Sequence, residues 1–331
     1  MPASTEQSDI ITLGSQGLTG MGSVAHKLLA NGLNINALRT NDVLRKEEWL
    51  VYDRTVIDVA RARLVGVADL LSANLRLDLP NAFGTTVVQW EKMSDMTGAQ
   101  IDMHGLTEGE KDRLEFSLEN VPVPITHKEF SINIRALAAS RNGGMPLDTT
   151  QAAVSTRRVS DGLENMLFNG STIKAGGGSI YGYTTFPSRN IGNLAAAWST
   201  ATGAQILADF LAIIDALVAD NMFGPYMVYV PVTYYTNMLD DFKTASDKST
   251  LQRLLEIPQI SGIKPTTQLT TGVVFVQMTS DVVDMVVGFQ PIPVMWESHG
   301  GMVVNVKVLA IMVPRLKADY DGRCGIAHYS E

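Results

Sequence analysis

DTTQAAVSTRRVSDGLENMLFNG, residues 148–170, and GGGSIYGYTTFP, residues 176–187, form the stretch whose reading decides the fold. Apolar or small side chains recur at Ala152, Ser155, Val159, Leu163, Met166 and Leu167, the spacing of one helical face. Arg157, Arg158, Asp161, Glu164 and Asn165 fall largely elsewhere on the wheel. Asp148 is the expected N-cap, with Gln151 at the capping-box position, and Asn169-Gly170 is the expected stop. A helix over about 148–169 would be roughly 30 Å long at ~1.5 Å per residue. The glycines that follow, Gly176 to Gly178, read as a flexible connection.

Upstream, Thr85–Trp90 reads as a strand and Leu114–Leu118, alternating with period two, as its return partner. Together they predict a long hairpin projecting from the body. Glu91, Asp95, Asp102, Glu108, Glu110, Asp112, Glu115 and Glu119 oppose only Lys92, Lys111 and Arg113, so this segment holds –5 of the chain's net –8. Residues 41–75 read as a helix or broken helix, with Asn41 or Asp42 as cap. Its mixed apolar face runs through Tyr52, Val56, Val59, Leu64 and Val67, and Pro80 closes the region.

Downstream, residues 190–331 alternate helix and strand. Thr202 and Gln205 form a capping box before the apolar face Ile206, Phe210, Ile214 and Leu217. Strands are expected at 225–230, 272–278, 282–288, 302–313 and 325–329, and short helices at 233–242 and 251–257. No repeat of 20–50 residues is evident.

Composition sets limits. A chain of 331 residues, 45% hydrophobic and 18% charged, can bury a large core, and its low charged fraction suits extensive subunit contacts and a large monomer alike. The acidic balance argues against a protein that grips nucleic acid. One cysteine, Cys324, excludes an intrachain disulfide and a thiolate metal cluster, and fits a reducing compartment. The opening residues lack the features of a secretory signal, and no apolar run reaches the ~18 residues of a transmembrane helix.

No catalytic pattern emerges. His26, His104, His127, His299 and His328 show no ligand spacing, and Cys324 reads as a core residue without a base. The glycines at 14–22 do not follow a strand, and Gly176–Gly178 follow a helix where a phosphate loop would precede one. No nucleophile elbow is present. Catalytic residues, cofactor and metal are all expected to be absent.

The stretch that opens this section resembles the long backbone helix and glycine turn of viral capsid proteins with the Hong Kong 97 fold, and of the encapsulins that share it. The matching residues are Glu164, the Phe168-Asn169-Gly170 exit, and Ile180, Tyr181, Gly182 and Tyr183. VPVPITHKEFSINIRAL, residues 121–137, resembles the strand that leads into that helix in encapsulins. The motif covers about forty residues, and the order of elements matches from about Asn41 to Glu331.

The resemblance implies an α+β fold of the Hong Kong 97 type. Its expected parts are an arm at 1–40, a helical region at 41–84 and an extended β-hairpin loop with return strand at 85–135. A peripheral domain at 136–200 would carry the backbone helix, an axial domain would span 201–290, and return strands 291–331. The implied function is assembly: a major capsid protein of a tailed bacteriophage, forming pentamers and hexamers of an icosahedral shell around double-stranded DNA. Implied partners are further copies of itself, a portal, and scaffolding or decoration proteins. The implied location is the virion, assembled in the host cytoplasm. Alternatives are an encapsulin shell holding a cargo enzyme, or a soluble enzyme whose site is scattered in sequence.

The expected subunit interface pairs Glu108, Glu110 and Asp112 of the hairpin with Arg135, Arg141, Arg157 and Arg158. Glu164 is expected to be an interior structural charge, and the arm to be ordered by neighbouring subunits.

Overall fold

The computed structural model describes residues 46–331 except 95, 97, 99, 100, 102, 105–112, 136, 137, 139–148 and 244–247. The arm and the caps expected at Asn41, Asp42 and Asp148 therefore lie outside the described residues. Helices α1 (Lys46–Arg63) and α2 (Gly66–Ser72) form the expected broken helix. Strand β1 (Arg76–Asp78), which the sequence reading missed, follows them. Next come β2 (Val87–Met93), β3 (Phe116–Pro122), β4 (Thr126–Asn133) and the long helix α3 (Thr150–Asn169). Short strands β5 (Ser171–Ala175), β6 (Gly178–Ile180) and β7 (Asn190–Asn193) lead to α4 (Gly203–Ala219) and β8 (Tyr226–Pro231). Helices α5 (Val232–Met238) and α6 (Thr250–Leu255) precede β9 (Ile260–Thr266), β10 (Val273–Gln277), β11 (Val283–Ser298), β12 (Val303–Leu316) and β13 (Ile326–Ser330).

Two sheets organise these elements. The first has the order β1-β11-β12-β4, with β1 parallel to β11 and the rest antiparallel. The second has the order β7-β13-β10-β8-β9, antiparallel at its centre and parallel at both edges. Alternation along β10 shows how the second sheet is used on both faces. Val273 and Phe275 pack under α4 with Trp198 and Phe210. Val274 and Val276 point the other way, into a core shared with Leu163 and Leu167 of α3 and with Met285, Val308 and Met312 of the first sheet.

Helix α3 buries all six residues of the expected face. It also buries Thr156, Ser160, Glu164 and Phe168, so the stripe is wider than the sequence suggested. Thr149 is the N-cap and makes no side-chain cap bond; three residues on stands Ala152, so no capping box forms. At the far end Gly170 adopts φ 75° and donates its N–H to Met166 O at 2.9 Å, which ends the helix as expected. The capping box of α4 is present, with the Thr202 N–H held by Gln205 Oε1 at 2.9 Å.

The glycine run is a tight turn. Gly176 and Gly177, at φ 58° and 78°, join β5 to β6 in the left-handed geometry that two-residue hairpins need. The flexible reading is corrected: Asn120 Nδ2 of β3 donates to Gly176 O at 2.9 Å, and a Cβ at Gly178 would lie 2.4 Å from Asn120 O. The chain then turns back over the end of α3. Tyr183 and Thr184 donate their N–H groups to Leu167 O and Phe168 O at 3.0 and 2.9 Å. Gly182 permits this approach, since a Cβ there would stand 2.3 Å from Gly170 N and 2.5 Å from Phe168 O. Gly182→Ala should therefore lower stability by about 1–3 kcal/mol or more, as forced overpacking does. Thermal unfolding checks it; an unchanged midpoint would show that the turn relaxes freely.

Candidate subunit interface

The hairpin stands out because its described part is paired on one side only. β2 and β3 form a two-stranded antiparallel sheet, with Val88 opposite Val121 and Met93 opposite Phe116. At the base, Val88 and Val121 are buried against Met166, Ile180, Val286 and Val313. Further out, the strands leave the body. Alternation places Glu91, Met93, Phe116 and Leu118 on one face, directly cross-strand from one another. That face is open: Met93 is 56%, Phe116 62% and Leu118 56% exposed. Ile101 and Met103, between the strands, are more exposed still. A two-stranded ribbon with an apolar outer face is marginal alone and calls for a covering surface.

The acidic character of the hairpin is partly answered within the chain. Lys92 pairs with Glu119 at 3.1 Å across the strands. Glu115 Oε2 accepts the Tyr320 hydroxyl at 2.7 Å. Glu108, Glu110 and Asp112 lie outside the described residues, as does Arg141. Arg157 and Arg158 are adjacent, exposed residues of α3, and neither forms an ion pair with a described residue. Arg135 is exposed just beyond β4, where its N–H caps back onto Asn133 Oδ1 at 2.8 Å.

Arg157 and Arg158 lie near the middle of α3, and the hairpin base packs against its C-terminal half. Ala152 packs near Ile132 in the first turn, whereas Met166 packs under the hairpin base. At 1.5 Å per residue Arg157 and Arg158 stand about 12–14 Å from Met166 along the helix. The sequence reading groups them with the hairpin by proximity along the chain alone. It also missed the apolar face, although the alternation of Phe116 and Leu118 was its signal.

The hairpin's direction is fixed by a buried ion cluster. Asp284 of β11, 5% exposed, accepts from Arg315 Nε at 2.9 Å and from Lys317 Nζ at 2.7 Å. The Arg315 guanidinium lies 5.4 Å from the centre of the Trp90 ring on β2. A partly desolvated cation over an aromatic face is attractive by about 0.5–2 kcal/mol.

Groups with chemical potential are otherwise enclosed. Burial pushes the Cys324 thiol up to about 12, so it is no nucleophile at neutral pH. Glu164 is 4% exposed, which corrects its placement off the buried face of the wheel and bears out the interior charge. Its oxygens accept the N–H groups of Gly66 and Val67 at the start of α2, at 3.2 and 3.1 Å. Burial raises its pKa to about 7, against the backbone hydrogen bonds that lower it, and nearby Asp69 adds to the rise. Among the described residues no group of three His, Cys, Asp or Glu side chains could hold a metal, and no helix is long and apolar enough to cross a membrane.

The type 1 encapsulin shell protein EncA of Myxococcus xanthus (strain DK1622) is 27% identical over 206 residues. The match covers 59% of this chain and 63% of that protein. The virus-like particle of Pyrococcus furiosus superposes with a TM-score of 0.59 at 14% identity, over 86% of this chain and all of that one. The capsid of Myoviridae phage XM1 gives 0.61 at 14% identity, over 80% and 92%. A chain from Mycobacterium phage Bobi gives 0.55 at 11% identity, over 79% and 89%. These likenesses establish the Hong Kong 97-type α+β fold expected from the sequence. Residues 36–329 match the family described as "Family of unknown function (DUF6260)", and the chain belongs to that family.

Proposed function

We propose that this chain is the structural subunit of a closed icosahedral shell, the head of a tailed double-stranded-DNA bacteriophage. The observation that carries the reading is the hairpin: its base is bolted to the body, while its outer face exposes Met93, Phe116 and Leu118 to a missing partner. The fold it shares with phage XM1's capsid supplies a partner of the right kind, a second copy. Pentamers and hexamers built this way would close around DNA without sequence-specific contact. A portal, and scaffolding or decoration proteins, would complete the particle in the host cytoplasm, and the chain would reside in the virion. Function would lie in the surfaces, with no catalysis.

The hairpin is proposed to dock in two ways at once. Its apolar face covers apolar surface on the neighbour. Its acidic residues Glu108, Glu110 and Asp112 face Arg135, Arg141, Arg157 and Arg158 of that neighbour. Exposed ion pairs contribute only about 0–1 kcal/mol each, whereas each buried large apolar side chain contributes about 1.5–3 kcal/mol. The apolar face therefore dominates the affinity and the charges orient it.

A second reading has its own support: the curated relative is an encapsulin shell protein. In that case the shell holds a cargo enzyme, and the subunit contacts are the same.

Purified recombinant chain should elute as capsomers or megadalton particles, and electron micrographs should show uniform closed shells. A small, stable oligomer would overturn both readings. Particles from the native source should contain DNA; a co-purifying enzyme without DNA would favour the encapsulin.

Replacing Met93, Phe116 and Leu118 by serine should leave the chain folded but unable to form uniform shells. Reversing Glu108, Glu110 and Asp112 to lysine should slow assembly mainly at low salt, because screening acts within about 8 Å at physiological ionic strength. Normal assembly kinetics of the serine variant would refute hairpin docking. Salt-independent behaviour of the lysine variant would remove only the charge component.

A further inference from the structure

The turn between β12 and β13 is built as a firm support. Its two stems enter the core at Ala318, 8% exposed, and at Cys324, which is fully buried. The Lys317 N–H donates to Val282 O at 2.8 Å, and its ammonium donates to Ser280 O at 2.6 Å. Within the turn the Asp319 N–H donates to Arg323 O at 3.0 Å, and Asp319 Oδ1 accepts the Arg323 N–H at 2.8 Å. The Gly322 N–H closes the turn on Asp319 O at 3.1 Å. These bonds leave the backbone at its head little freedom, and Tyr320 stands there with 43% of its surface exposed.

The Tyr320 hydroxyl reaches the hairpin. Glu115 Oε2 accepts it at 2.7 Å, although the two residues are 205 apart in sequence. Glu115 is itself held by its backbone. Its N–H donates to Ser94 Oγ and its carbonyl accepts the Ser94 N–H, both at 2.9 Å, one pair beyond Met93 and Phe116. Alternation puts Glu115 on the same face as Glu119 and Val121, turned to the body and away from Phe116 and Leu118. From Val121 in the core to Glu115 the strand covers about 20 Å at ~3.3 Å per residue. Along this span lies a cleft of about 260 Å³, lined by Trp90, Lys92 and Glu119 of the hairpin and by Phe186, Pro314 and Arg315 of the body. The hairpin crosses it as an arch. Val88 and Val121 form one footing, and the Tyr320–Glu115 bond forms another further out.

We propose that Tyr320 is a strap: its hydrogen bond to Glu115 ties the outer hairpin to its own chain, so that Met93, Phe116 and Leu118 are presented outward before a neighbouring copy arrives. The bond lies on the inner face, so it restrains the ribbon without covering the apolar one. A docking element already held in its bound orientation loses less freedom on association. The strap therefore speeds assembly without adding a contact between chains. That consequence rests on the docking reading given above, whereas the restraint of the hairpin is a property of the single chain.

The test is amide hydrogen exchange in the full chain, kept below its assembly concentration, with each rate divided by the intrinsic rate of unstructured peptide. Tyr320→Phe removes the hydroxyl alone. The Ser94 and Glu115 amides should exchange about fivefold faster in that variant, the factor of one hydrogen bond of ordinary net strength, while those of Val88 and Val121 stay unchanged. Glu115→Ala should raise the Ser94 rate similarly, and adding Tyr320→Phe to it should change nothing further, as for two residues acting through one contact. Unchanged exchange in Tyr320→Phe, or additive rises in the double variant, would overturn the strap. Light scattering then reads the assembly step, where Tyr320→Phe should lower the initial rate by up to about fivefold with the thermal midpoint unchanged. A loosened hairpin with an unaltered assembly rate would support the strap and count against hairpin docking.

Discussion

Phe168 meets Tyr183 and Tyr229 at ring distances of 5.2–5.5 Å, and the two sheets are joined through that contact. Phe168 belongs to the last turn of α3, the helix that lies on the four-stranded sheet. Tyr229 belongs to β8, the next-to-edge strand of the five-stranded sheet. Tyr183 reaches them only because Gly182 lets the backbone pass against the end of α3. A helix end normally leaves its last carbonyls to water. Here Leu167 O and Phe168 O are taken by the N–H groups of Tyr183 and Thr184, so the end can be buried and used as a junction.

The same junction explains why parts of this fold were readable in advance and parts were not. The buried face of α3 was legible because Ala152, Val159, Leu163 and Leu167 keep the helical period. The Thr202–Gln205 capping box was legible because its chemistry is local. β9 was not, because Gly262 and Pro265 break its pattern although it serves as an edge strand, where proline is tolerated. β11 was read only to Gly288, yet it runs on through Pro291 and Pro293 to Ser298, with register shifts between Val287 and Ile292 that absorb the irregularity. The sequence reads the glycine hairpin as a flexible connection because glycine alone does not say whether its freedom is used. What settles it is Asn120, fifty-six residues away from Gly176.

The candidate interface was half legible. Its charges can be counted along the chain, and the count led to the arginines. Its apolar face depends on which side of β2–β3 meets the body, and that is decided by contacts with Met166, Ile180, Val286 and Val313, none of them local. Glu164 shows the same limit. On the wheel it looks solvated; in the fold two backbone N–H groups of a helix ninety-seven or more residues earlier make a buried carboxylate tolerable.

A surface-driven function requires that the docking element point the same way in every copy. Isolated hairpins do not do this, since two strands twist and flex about their base. In this chain the base is clamped on three sides. Val88 and Val121 enter the core, the β5–β6 turn buttresses Asn120, and Arg315 lies over Trp90. Arg315 is itself held by Asp284, so the cation over the indole cannot swing away without giving up its bonds to a buried carboxylate, which would then keep only Lys317. Breaking such a buried pair from one side costs far more than losing a surface pair. The rigidity of the hairpin's aim is thus set by polar contacts at its root, while its affinity is set by apolar residues toward its tip. That division lets the outer face vary in sequence without altering the direction in which it is presented.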